Sequence, residues 1–164
     1  MMSFEEIFCE KIFKALGTSD PAHDLAHVKR VVSTSKRLAL EEKAELEIVV
    51  PAAWLHDLVN LSKEHPQRKL ASQMAADEAV SFLRNVHYPD KYLDGVHHAI
   101  AAHSFSAGLV PATIEAKIVQ DADRLDALGA IGIARLFSIN IKSALLETRK
   151  RSRFIEKYIE ELKT

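Results

Sequence analysis

The chain has 164 residues, the length of one domain. With 48% hydrophobic and 27% charged residues, its composition excludes a disordered tail or a low-complexity scaffold. Its 22 basic and 23 acidic side chains leave a net charge of -1, which gives no broad electrostatic grip on nucleic acid.

The first predicted helix carries Phe4, Ile7, Phe8, Ile12 and Leu16 at helical spacing and ends at Gly17. Thr18 to Pro21 read as a turn, with Asp20 or Asp24 as N-cap of the next helix. That helix presents Val28, Val31, Val32, Ser35, Leu38 and Ala39 on one face. A third, the most apolar, holds Leu46, Val49, Ala52, Ala53 and Leu55; Pro51 either opens a fresh helix or kinks one already begun. Leu61 to Gln67 are polar and end the segment. Helices follow over Lys69–Leu83 and Pro89–His103, then a loop over Ser104–Pro111. Pro111 opens a helix running to about Leu128, Gly129 and Gly132 mark a bend, and two more helical stretches complete the chain. No strand-like alternation stands out. The expected fold is an all-α bundle of seven or eight helices in a single domain.

Cys9 is the one cysteine, so an intrachain disulfide and a thiolate metal cage are both excluded. No apolar run reaches the roughly 18–20 residues that span a bilayer, and the opening MMSFEEIFCEKIF lacks a signal-peptide pattern. The expected location is the cytoplasm. Eight histidines are the compositional oddity, and neutral imidazole is a common transition-metal ligand.

Ligand-type residues gather at His23-Asp24 with His27, at His56-Asp57, at His97-His98 with His103, and at Asp121, Asp123 and Asp126. The two His-Asp pairs decide little alone, since chance expects about half of one. Placement decides more. His27 sits beside the apolar stripe of its helix, and His56 and Asp57 follow Ala52 and Ala53 by four residues. Asp57 is therefore expected to be largely buried, which is costly unless the carboxylate is paired or binds a cation. On the later helix Asp121 shares a face with Ile114, Ile118 and Leu125, while Asp123 shares one with Ala112, Ala116 and Val119. Small residues allow helices to approach around an ion, which favours Asp123 without settling the choice.

These residues carry a resemblance. The sequence resembles the HD-domain metal-dependent phosphohydrolases, whose signature is a His, a His-Asp pair and a distant Asp. The matching residues are His27 in HDLAHVKRV, His56-Asp57 in AAWLHDLV and Asp123 in QDADRLDALGAIGIAR; the likeness runs from about Asp20 to Arg135 and includes HHAIAAHSFS. It is nearest to small stand-alone bacterial HD proteins. Their extra stretch after the GIAR segment is nearly missing here, where Ser138-Ile139-Asn140 runs into the basic Lys142–Arg153. If that stretch closes the pocket, its loss bears on substrate preference or turnover.

The resemblance implies a divalent ion on His27, His56, Asp57 and Asp123, with Mn, Fe, Co or Ni suiting mixed nitrogen and oxygen ligands better than Mg. It implies one metal site, with His98 and His103 as candidates for a second. The ion would activate water to attack a phosphoester or phosphoanhydride, with a nucleotide as the expected substrate. Asp57 and His103 are the expected catalytic residues; Arg30, Lys63, Arg68, His98 and Arg124 are the candidate phosphate contacts. Asp121 and Asp126 are expected to support Asp123. Trp54 reads as core, His65 and His87 as solvated, and Lys142–Arg153 as a solvated face. A homodimer stays open; membrane and nucleic-acid partners are not expected. Two other readings remain open at the sequence level: an iron-dependent oxygenase using a fuller ligand set, and a non-catalytic nucleotide-binding module.

Overall fold

The computed structural model describes residues 2–16, 25–61 and 65–126. Six α-helices lie among them: α1 (Phe4–Leu16), α2 (Leu25–Glu42), α3 (Leu46–Leu55), α4 (Ala71–Asn85), α5 (Leu93–His103) and α6 (Ile114–Asp126). Short 3-10 turns at Arg68–Leu70, Asp90–Tyr92 and Phe105–Ala107 lead into or follow them, and no strand occurs among the described residues. The all-α class holds. The two helical stretches expected near the C-terminus, the bend at Gly129 and Gly132, the caps Asp20 and Asp24, and the shortened segment near residue 140 lie outside the described residues.

Local chemistry sets the helix starts. Ser3 opens α1 with a capping box: its Oγ accepts the Glu6 N–H, and the Glu6 carboxylate accepts the Ser3 N–H at 2.6 Å. Pro111 does not open α6. The helix begins three residues later, where Thr113 Oγ1 accepts the Ala116 N–H at 3.2 Å as an N-cap.

The apolar α3 packs against all five other described helices. A helix apolar all round belongs in the middle of a bundle, and Val49 and Pro51 to Leu55 are buried there. Pro51 sits inside α3, not at its start. It has no N–H to give the Glu47 carbonyl, and the Tyr88 hydroxyl donates to that carbonyl instead, at 2.7 Å. Trp54 lies in the core and its Nε1–H donates to Glu5 on α1 at 3.1 Å. Glu5 also accepts Lys36 of α2 at 2.6 Å, so one carboxylate ties three helices together.

Gly95 lets α5 close on α3. A methyl group there would stand 2.6 Å from Ile48 Cδ1. The α2 face named from periodicity is the buried one, with Val28, Val31, Val32, Ser35 and Ala39 in the core and Leu38 at its margin.

Candidate metal centre

Three chain segments bring their polar residues to one place inside the bundle. His27 comes from the first turn of α2, His56 and Asp57 from the residues just past α3, and Asp123 from the last turns of α6. His27 and His56 are each 1% exposed.

Both rings are oriented by acceptor-only partners. His27 Nδ1 lies 2.7 Å from Asp126 Oδ2, and His56 Nδ1 lies 2.8 Å from the Ala53 carbonyl. A carboxylate or carbonyl only accepts, so each Nδ1 donates and each Nε2 is turned inward as the open position. The His56 bond has a local cause: the last carbonyls of α3 lack intrahelical partners, and the ring takes one of them. His103 repeats the device at the end of α5, where its Nδ1 donates to the Ile100 carbonyl at 2.6 Å.

The inward atoms sit at ligand spacing. His27 Nε2 is 3.7 Å from Asp57 Oδ2 and 3.4 Å from Asp123 Oδ1. His56 Nε2 is 3.4 Å and 3.9 Å from the same two oxygens. Ligand atoms of His27, His56 and Asp57 all lie within 4.8 Å of one another. An ion with bonds of roughly 2.0–2.2 Å needs its ligands about 3–4.2 Å apart. His56 Nε2 is buried and has no hydrogen-bond partner, which is costly unless a cation or proton occupies it. The residues fit a divalent metal.

Electrostatics agree with the geometry. Burial is the largest influence on His56 and pulls its pKa down, but the nearby Asp57 carboxylate, the Asp123 charge and the Ala53 bond together raise it to about 9. With no cation present, a proton balances the two carboxylates. Burial raises Asp123, but the His27 hydrogen bond and the His56 charge outweigh it and hold the carboxyl below its usual range. His103 is pushed down by burial and by the His56 charge, so its imidazole stays neutral. Its ring stands 5.1 Å from that of His56, nearly at right angles.

The other candidates separate. Asp57 is partly open, its side chain 16% exposed. Asp121 is exposed, and Asp123 faces the cluster from the small-residue side of α6. Asp126 holds His27 and accepts Arg30 Nε and Nη2 at 2.7 and 3.0 Å. Sequence reasoning assigned Asp126 to Asp123 and missed its bond to His27. The signal was there in spacing: Asp123 and Asp126 share a face of α6, as His27 and Arg30 share one of α2. His98 is not brought to the cluster; its Nε2 accepts the Ala112 N–H at 2.9 Å. Arg124 is exposed on α6, and Lys63 lies outside the described residues. Arg68 lines a cavity with His56, Asp57 and His103.

A sequence model of the HD domain matches residues 24–128, well over half the chain. The chain belongs to the HD-domain family. The uncharacterized protein YpgQ of Bacillus subtilis (strain 168) is 40% identical over 119 residues, which make up 70% of this HD protein and 56% of YpgQ. The chain thus spans little more than half of that curated relative. Among solved structures, one from Lactobacillus plantarum matches with a TM-score of 0.70 at 28% identity, over 88% of this chain and 66% of that one. A predicted HD superfamily hydrolase from an uncultured Thermotogales bacterium matches at 0.64 and 27%, over 96% and 99%. YpgQ in complex with ADP matches at 0.65 and 32%, over 85% and 69%. The fold is that of HD-superfamily hydrolases. HD domains bind divalent metals, and the His-His-Asp cluster here can hold one. No described helix is long and apolar enough to cross a membrane.

Proposed function

We propose that this HD domain is a divalent-metal-dependent phosphohydrolase whose substrate is a nucleotide. One observation carries the reading: a buried, unbonded imidazole nitrogen on His56 faces His27 Nε2 and the Asp57 and Asp123 carboxylates at ligand spacing. His27, His56, Asp57 and Asp123 would hold the ion. Two imidazoles beside two carboxylates suit Mn²⁺, Fe²⁺, Co²⁺ or Ni²⁺ better than Mg²⁺. When bound, such an ion supplies an activated water and a Lewis acid for a phosphoryl oxygen.

The remaining roles fall to the chain's own groups. Asp57 is the carboxylate ligand that lines the cavity and orients the attacking water. His103, neutral and with its Nδ1–H given to the Ile100 carbonyl, offers Nε2 at the cavity wall as a proton acceptor. The nucleotide assignment is supported by the related YpgQ structure in complex with ADP.

The test is a phosphate-release screen over nucleoside mono-, di- and triphosphates with Mn²⁺, Co²⁺, Ni²⁺ and Mg²⁺, run beside Asp123→Ala and His56→Ala. Metal-dependent release that drops at least about 100-fold in both variants is expected. A purified chain that takes up no divalent metal, or takes up the same amount after His56→Ala, overturns the reading.

A further inference from the structure

A small polar cavity of about 30 Å³ adjoins the metal centre. His56, Asp57 and His103 line one side; Asn60, Arg68, Ala71, Ser72 and Ser104 line the rest. Among the described residues Arg68 is the one cationic side chain on this wall. Its guanidinium is held in place. Nη1 donates to the Leu61 carbonyl at 2.6 Å and to Asn60 Oδ1 at 3.0 Å, both on the segment leaving the His-Asp pair. Nε and Nη2 make no hydrogen bond among the described residues, and the side chain is half-buried.

A guanidinium anchored through one nitrogen and open at the other two is preorganised for a ligand with paired acidic oxygens. Ala71 and Ser72, at the start of α4, complete the same wall, and the Ala71 N–H is bonded to the Arg68 carbonyl. Among the described residues, the other basic side chains are engaged or placed elsewhere. Arg30 is bound to Asp126, and Arg84 lines a separate groove with Asp77, Asp94 and His97. Cavity size limits what enters. At about 30 Å³ it has room for only a few atoms, far below the roughly 300–1,000 Å³ of pockets that enclose drug-sized ligands.

We infer that Arg68 binds the phosphoryl group of the substrate at this cavity, and that the sugar and base of a nucleotide lie outside it. The inference rests on the phosphohydrolase reading and narrows it: the chain grips a phosphoryl group with Arg68 and selects little among bases at that point. Arg68 is a binding residue, distinct from the groups that hold the ion.

The experiment titrates inorganic phosphate into the full chain, with and without saturating Mn²⁺, for the parent, Arg68→Gln and Arg68→Lys. Mn²⁺ affinity is measured in each protein separately. Arg68→Gln is expected to weaken phosphate binding about 10–100-fold and leave Mn²⁺ affinity within about twofold; Arg68→Lys recovers part of the loss. Arg68 also anchors Asn60 and Leu61, so a second measurement uses the parent alone. Phosphate is expected to slow modification of Arg68 by phenylglyoxal several-fold, mapped by mass spectrometry, and to leave Arg84 unaffected. Unchanged phosphate affinity in a folded Arg68→Gln, or Arg68 labelling that phosphate does not slow, overturns the assignment. A chain that binds no Mn²⁺ overturns the metal reading alone, because the metal-free titration and the labelling still judge Arg68.

Discussion

Asp126 makes no direct approach to the proposed ion, yet the centre depends on it. Its carboxylate fixes the His27 ring through Nδ1 and is itself clamped by Arg30. Carboxylates behind metal-binding histidines typically change metal affinity 10–100-fold when removed, so Asp126→Ala is expected to weaken Mn²⁺ binding by about that factor in a calorimetric titration. Burial alone would raise the Asp126 carboxyl, but the Arg30 and His27 hydrogen bonds and charges outweigh it and lower its pKa from 3.8 to about 2. A depressed folded-state value means the contribution is complete above pH 4 and disappears as pH falls toward 2. Denaturant titrations of the metal-free chain at pH 5 and pH 2 are expected to show about 2 kcal/mol more loss in the parent than in Asp126→Asn. The sequence pointed to the cluster because His27, His56 and Asp57 lie at helical spacing from apolar residues. It could not show which ring Asp126 would meet, because that contact joins residues 99 positions apart.

Helix boundaries show the same division between local and distant information. The start of α1 and the buried face of α2 follow from neighbours within a turn or two, and both were legible. The role of Pro51 was not, because the group that accommodates it is Tyr88 of the α4–α5 connection. Tyr88→Phe leaves the Glu47 carbonyl without a partner and is expected to cost about 1–2 kcal/mol by urea denaturation. In a Pro51→Ala background the helix can supply its own N–H, so the same change is expected to cost clearly less; equal losses in both backgrounds would show that the two residues are not coupled. Burial, the nearby Glu47 and Glu45 carboxylates and Tyr92 raise the Tyr88 phenol to about 12. The folded chain therefore keeps its proton longer than the unfolded chain. Stability is expected to fall between pH 10 and pH 12 in the parent and to fall less in Tyr88→Phe.

At the scale of the bundle, a bound cation would join α2, the end of α3 and α6 through ligands from all three. A ligand that binds the folded state alone adds about 2.7 kcal/mol at 100 times its Kd, so saturating Mn²⁺ is expected to raise Tm by roughly 5–10 °C. Asp123→Ala is expected to abolish most of that rise. The ion must also displace a proton. His56 is held protonated up to about 9 in the metal-free chain, and its Nε2 cannot carry a proton and bind a cation together. Mn²⁺ affinity is therefore expected to increase with pH up to about 9 and level off above it. At pH 7 the binding enthalpy, compared across buffers of different ionisation enthalpy, is expected to report close to one proton released per ion. A value near zero at pH 7 would mean that His56 Nε2 is not the nitrogen the metal takes, and the centre would have to be rebuilt around His27 and the two carboxylates.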